Sequence, residues 1–168
     1  MRITRNTTTR LHNFAFKLAE KRKQKGKLGK VTCVDKANVF KSQALFRKIF
    51  NEIKDDFPNI EADTCYVDAM ALNLIRQPWE YDVMVMENIF GDILSDLGGG
   101  LVGGMGMASC GEIGDNHGLF QPAHGSAPDI AGKNLANPIA QILTGAMMLS
   151  HLCLLYTSPS PRDLSTSR

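Results

Sequence analysis

The chain has 168 residues, 43% apolar and 21% charged, with a formal net charge of +2. That is the composition of a globular protein with room for about one ordinary domain, and it excludes collagen-like, coiled-coil and wholly disordered readings. No apolar run reaches the ~18 residues of a membrane span, and no apolar stretch follows Met1-Arg2-Ile3-Thr4-Arg5, so neither membrane nor secretion is expected.

In chain order, the pattern predicts a helix over 6–25, with Leu11, Phe14, Ala15, Leu18 and Ala19 as its inner stripe and glycines at 26 and 29 to end it. A buried strand follows over 30–34. A helix over 40–53 has Phe40, Ala44, Leu45, Ile49 and Ile53 on one side. A strand over 62–67 leads into a helix over 68–75, stopped before Pro78. A strand over 82–86 leads into a helix from Ile89 to Leu97, which runs into Gly98–Gly106, read as a flexible turn between domains. A loop rich in Asp, Gly, Asn and His continues to Gly118, and one more helix is expected over 138–152. The alternation of strand and helix gives an α/β class. Residues 156–168 are Ser, Pro, Thr and Arg with little that is apolar, and are expected to be disordered.

Charge is unevenly spread. Residues 1–51 carry 14 Lys and Arg against 2 acids, and residues 52–96 carry 2 against 11. The basic front reads as a solvated helix face and loop, so no nucleic-acid partner is expected. Cys33, Cys65, Cys110 and Cys153 lack metal-finger spacing and read as reduced, mostly buried thiols of a cytoplasmic protein.

Four segments have the residue types for chemistry. Asp92 and Asp96, four apart on a helix, face the same way. By spacing they read first as two solvated acids at a helix start, where the dipole favours them, and second as oxygen ligands for Mg²⁺ or Mn²⁺. Lys36 ends a buried strand, where α/β proteins bind ligands; it reads as a solvated lysine before an acid–base group. Asp68 at a strand-to-helix junction reads as a helix cap before a metal ligand. The run from His124 to Gly132, followed by Asn137-Pro138, has small residues that admit a flat or phosphorylated ligand. Its Asp129 suits ribose hydroxyls and disfavours a 2′-phosphate. The one G-x-G-x-x-G match, Gly98-x-Gly100-x-x-Gly103, follows a predicted helix and not a strand, so a Rossmann fingerprint is absent.

Taken together, Val34-Asp35-Lys36-Ala37-Asn38-Val39, Tyr66-Val67-Asp68-Ala69-Met70, Glu87-Asn88-Ile89-Phe90-Gly91-Asp92-Ile93-Leu94-Ser95-Asp96 and His124-Gly125-Ser126-Ala127-Pro128-Asp129-Ile130-Ala131-Gly132 resemble the β-decarboxylating dehydrogenases. The family acts on isopropylmalate, isocitrate, homoisocitrate or tartrate, and the likeness is greatest to isopropylmalate dehydrogenase-like members. It implies the two-domain isopropylmalate dehydrogenase-like fold, of which this chain resembles the second half. Residues 1–102 would form most of the small, dimer-forming domain and 103–152 a returning strip of the large one, with 153–168 a non-native tail.

The resemblance implies NAD- and metal-dependent oxidative decarboxylation of a 2-hydroxy acid of the 3-isopropylmalate type. Asp68, Asp92 and Asp96 would hold Mg²⁺ or Mn²⁺. Lys36 would take the hydroxyl proton, and Asn38 would lie near substrate and nicotinamide. His124, Gly125, Ser126, Ala127, Pro128, Asp129, Ile130 and Asn137 would line the adenosine half of NAD. A homodimer is implied, with Lys36 and Asp68 serving the partner's site. The substrate-specificity segment and the arginines for the substrate carboxylates have no counterpart in the sequence. Gln121 and Ser109-Cys110 depart from common family residues. The alternatives are isocitrate, tartrate or homoisocitrate as substrate, a mitochondrial or plastid setting, and a non-catalytic, dimer-forming or regulatory role. The strip over 103–152 would leave apolar surface exposed, so poor stability of the isolated chain is expected.

Overall fold

The computed structural model describes residues 3–154; the tail expected to be disordered lies outside them. The chain divides into two compact units at Leu97/Gly98.

The first unit is a parallel sheet between helices. Its elements are α1 (Arg5–Gln24), β1 (Lys30–Asp35), α2 (Lys41–Ile53), β2 (Glu61–Tyr66), α3 (Val67–Arg76), β3 (Val83–Val85) and α4 (Asn88–Leu101), whose last turn passes into the second unit. The strand order is β2-β1-β3, with both pairings parallel. β1 is central, and Val31 through Asp35 are all buried. A strand covered on both faces reads as a continuous apolar run rather than an alternation, which explains Val31-Thr32-Cys33-Val34.

Each face of the sheet has its own core. Val31 and Cys33 pack with Ala15, Phe16 and Ala19 of α1 and with Phe46, Ile49, Phe50 and Ile53 of α2. Val34 packs with Met70, Leu74 and Leu94 of α3 and α4. Phe16 stacks on Phe50 and Phe57, with ring centroids 5.3 and 4.9 Å apart.

The two flanking helices bury only part of the faces that the periodicity gives: Ala15, Ala19, Ile49 and Ile53 are in the core as expected. α1 buries Thr8, His12, Ala15, Phe16 and Ala19, leaving Leu11, Phe14 and Leu18 more than a third exposed. α2 buries Gln43, Phe46, Ile49, Phe50 and Ile53, while Phe40 is exposed. Large rings decide the outcome: Phe16, Phe46 and Phe50 interlock, and the helices rotate to bury them. The basic front is a solvated, paired surface. Lys21, Arg22 and Lys23 close the last turn of α1, where the dipole favours cations. Arg5 pairs with Glu52, Arg22 with Asp82, and Lys30 with Glu61 and Asp63.

His12 is fully buried against the rings of Phe46 and Phe50, with Nε2 3.2 Å from the Phe46 carbonyl. Burial lowers its pKa from 6.5 to about 4, and the hydrogen bond to that carbonyl only partly opposes this. The neutral ring therefore contributes stability that is complete above pH 6.5 and is lost as pH falls toward 4. The loss is about 3 kcal/mol. Unfolding free energies from urea titrations at pH 7 and pH 4.5 should differ by about 2 kcal/mol on this account in the native chain, and by much less in His12→Gln.

The second unit contains β4 (Ser109–Ile113), β5 (Gly118–Pro122) and α5 (Ile139–His151). β4 and β5 form an antiparallel hairpin where a loop was expected. The expected turn at Gly98–Gly106 is also partly helical, since α4 continues to Leu101. Gly103 and Gly104, at φ 107° and 110°, then end the helix, with the Gly104 amide returning to the Gly99 carbonyl. Only glycine adopts such angles without strain.

The unit has little interior. Ala140 and Thr144 are its only buried side chains among the described residues, whereas Leu119, Leu135, Ile142, Leu143, Leu149 and Leu152 are exposed. A broad thermal transition and strong binding of a hydrophobic dye are expected; a sharp two-state melt without dye binding would count against this.

The thiols are all free, but only Cys33 is buried; Cys65 and Cys110 are half-buried and Cys153 is exposed. The expectation of mostly buried thiols fails because Cys65 lies on the edge strand β2 and the hairpin and the end of α5 are thinly covered. No helix among the described residues is long and apolar enough to cross a membrane.

Candidate active site

Parallel strands end on one edge of a sheet, and that edge is where open α/β folds bind ligands. Here each strand of the first unit delivers one candidate segment to its carboxyl end. Lys36 directly follows β1, Asp68 lies in the first turn of α3 after β2, and Asn88 to Asp96 lie on α4 after β3.

Lys36 and Asp68 are in contact, with Nζ 2.7 Å from Oδ1. Strands β1 and β2 bring them together, because Asp35 is in register with Tyr66 and the two chains leave the sheet side by side. The Lys36 ammonium, with backbone amides at the start of α3, holds the Asp68 carboxyl below its ordinary pKa. Asp68 therefore stays ionised, as a cation ligand must. Asp68 lies in the first turn of α3, where its carboxyl also meets the amides of Asp68 and Ala69, so a helix-start role accounts for part of its placement and the Lys36 contact for the rest. Asn38 lies on the exposed turn between Lys36 and Phe40, which is closed by the Val39 and Phe40 amides donating to the Lys36 carbonyl.

Asp92 and Asp96 lie one turn apart on α4, both exposed. The first turn of α4 holds no acid, so the helix dipole offers little reason for either, since its effect fades within one turn. Asn88 Nδ2 donates to Asp92 Oδ2 at 2.9 Å. Among the described residues neither acid has an ion-pair partner, and no three potential ligands gather in one place. Two carboxylates at this spacing, with oxygen donors only, fit part of a hard-cation shell and need a third ligand from elsewhere. A groove of about 580 Å³ opens beside the start of α4, lined by Thr4, Thr7, Thr8, Met86, Glu87 and Asn88 among others.

The segment assigned to NAD lies in the second unit. His124, Gly125, Ser126, Ala127, Pro128 and Asp129 are exposed and Ile130 is half-buried. A short 3₁₀ turn spans Pro128–Ile130. Ala127 before it has φ 42°, a left-handed conformation that holds the backbone open. Nothing lies within 4 Å of where a Cβ on Gly125 would sit. The His124 ring lies against the Gly125 carbonyl, 2.9 Å from Nδ1. Asn137 accepts from the Ile139 amide at 3.0 Å and so fixes the start of α5. The open, small-residue surface suits a flat ligand, with Asp129 free to accept hydroxyls.

Sequence reasoning missed Asp35 and Arg47. Asp35 is fully buried at the end of β1 and takes a two-pronged contact from Arg47 of α2, at 2.7 and 2.8 Å. The only sequence signal was an acid that ends a strand whose other charge, Lys30, is at its far end.

Comparison with known proteins gives the family of the chain. A sequence profile of the isocitrate/isopropylmalate dehydrogenase family matches residues 1–157. The 3-isopropylmalate/3-methylmalate dehydrogenase of Methanocaldococcus jannaschii is 52% identical over 151 residues, covering 89% of this chain and 45% of that protein. Homoisocitrate dehydrogenase from the same organism is 50% identical, covering 89% and 42%. The crystal structure of isocitrate dehydrogenase from Methylococcus capsulatus superposes with a TM-score of 0.84 at 46% identity, covering 92% of this chain and 44% of that one. The chain thus spans less than half the length of the relatives it matches. It belongs to the isocitrate/isopropylmalate dehydrogenase family and carries part of that fold.

Proposed function

We propose that this chain carries two complementary half-sites of an NAD- and divalent-metal-dependent oxidative decarboxylase of 3-isopropylmalate-type 2-hydroxy acids. The carrying observation is the grouping of the acids: Asp68 is held against Lys36 at 2.7 Å, while Asp92 and Asp96 pair on α4 without a third ligand. A homodimer completes both sites if Lys36 and Asp68 of one chain meet Asp92 and Asp96 of its partner. Exposed apolar side chains on α3 and α4, Leu72, Ile75, Ile89 and Ile93, supply surface for that association.

When bound, Mg²⁺ or Mn²⁺ supplies the positive charge that stabilises the substrate oxygen through oxidation and loss of CO₂. Asp68, Asp92 and Asp96 are the residues that hold it. Lys36, as the neutral amine, would take the hydroxyl proton as hydride leaves the same carbon for NAD⁺, and the ammonium in contact with Asp68 is the form it has after that transfer. Asn38, beside Lys36 on its turn, orients the substrate and nicotinamide. Asp129 accepts the adenosine ribose hydroxyls and disfavours a 2′-phosphate. In this reading residues 1–102 are the dimer-forming part and 103–152 a strip of the cofactor-binding domain. The chain alone, at less than half the relatives' length, is inactive.

The test has two readouts. Mn²⁺ titration of the chain by electron paramagnetic resonance should show binding, weakened about tenfold or more in Asp92→Asn. The full-length protein should form NADH with 3-isopropylmalate and Mg²⁺. NADH with isocitrate, homoisocitrate or tartrate instead would move the substrate assignment and leave the chemistry. Absence of both Mn²⁺ binding and NADH formation would refute the reading.

A further inference from the structure

We propose that Asp35 and Arg47 are positioning residues for the Lys36–Asp68 pair; this rests on the pair's role as read above. Side chains alternate along a strand, so neighbours Asp35 and Lys36 leave β1 on opposite faces. Asp35 follows Val31 and Cys33 toward α1 and α2, where Arg47 meets it. Lys36 emerges toward α3, where Asp68 meets it.

The buried carboxylate reaches both partners of the pair. Toward Lys36, Asp35 Oδ1 accepts from the Ala37 amide at 2.8 Å and fixes the peptide that follows the lysine. Toward Asp68, Arg47 holds Asp35 with one side of its guanidinium and lies over the Tyr66 ring, 4.9 Å from its centroid. Tyr66 ends β2, two residues before Asp68, and the Lys36 ammonium lies over the same ring at 5.8 Å. Burial and two charge-assisted contacts leave Asp35 a single geometry. The turn after β1 and the junction after β2 are therefore tied to one anchor, and the 2.7 Å contact is set from beneath.

The test is zero-length carbodiimide cross-linking of the chain, which joins an amine and a carboxylate already in contact, with products quantified by mass spectrometry. Lys30–Asp63, at 2.9 Å, lies at the other end of the same β1–β2 pairing and serves as an internal reference. In the double variant Asp35→Asn/Arg47→Gln, the ratio of Lys36–Asp68 to Lys30–Asp63 product should fall about tenfold, the order expected when a charge-assisted contact that fixes a geometry is lost. A purely structural role would lower both products together and leave the ratio unchanged, which would overturn the inference while leaving the Lys36–Asp68 pair in place. If the native chain yields Lys30–Asp63 product but no Lys36–Asp68 product, the pair itself fails, and the functional reading built on it falls too. If the double variant does not fold, Tyr66→Leu decides. Its side chain is partly exposed, and its loss should lower the ratio selectively; an unchanged ratio there overturns the inference.

Discussion

Full-length chains carrying Lys36→Met and chains carrying Asp92→Asn should each lose oxidative decarboxylation by about a thousandfold or more, since one lacks the base and the other a cation ligand. Mixed after dissociation and reassociation, they should recover activity. If Lys36 and Asp68 serve the partner's site, a mixed dimer has one site with both lesions and one with neither. Random pairing makes half of the dimers mixed, so about a quarter of the sites are intact, a gain of a few hundredfold over either parent. If every residue served its own chain's site, each site would keep a lesion and mixing would restore nothing. Lys36→Met mixed with Asp68→Asn supplies the control, because both lesions then lie in the same half-site and no intact site forms. Steady-state NADH formation before and after mixing reads all three cases.

Replacing Arg47 by Met should destabilise the first unit by about 3–5 kcal/mol. The Asp35 carboxylate is fully buried, and its remaining contacts are the Ala37 amide and the distant Cys33 thiol. Stranding a buried charge costs its full desolvation, whereas neutralising both members removes cost and gain together. Asp35→Asn/Arg47→Gln should accordingly be less destabilised than Arg47→Met alone, a non-additivity that urea denaturation followed by circular dichroism would show directly. Equal or greater loss in the double variant would mean that the pair stabilises the fold beyond offsetting its own burial. Cys33 gives an independent signal. Burial, with Asp35 beside it, pushes its thiol pKa well up, so it should be the slowest of the four cysteines to alkylate.

How far the sequence alone reached depended on what each segment buries. β1 stood out because both its faces are covered and its residues read as one apolar run. Lys36, Asp68, Asp92 and Asp96 were legible as candidates because each follows a strand or lies on a helix at a recognisable spacing. The contact between Lys36 and Asp68 was not, since it depends on β1 and β2 being parallel neighbours in a given register. The hairpin of β4 and β5 escaped because its strands are short, glycine-bearing and largely exposed, so the alternation that marks a half-buried strand is missing. The glycines at 98–100 were misread for a related reason. Their low helix propensity is real, but Gly99 is buried against the Met105 sulfur, in a space that a Cβ would fill, and packing overrides propensity there. In α1 and α2 only some of the expected positions, Ala15, Ala19, Ile49 and Ile53, reach the core, because the buried rings four apart, His12 with Phe16 and Phe46 with Phe50, outweigh the aliphatic side chains beside them.

The central strand has a consequence for how this protein can change over generations. Because consecutive residues of β1 face opposite ways, a single codon gained or lost between Val31 and Asp35 would turn the anchoring carboxylate toward α3 and send the lysine beneath α2. Point substitutions can drift through this stretch, but a one-residue change in its length damages structure and chemistry together. Length variation among descendants of this sequence should therefore collect in the loop at Gly26–Gly29 and the turn at Gln77–Tyr81, with the six residues of β1 inherited as an undivided block.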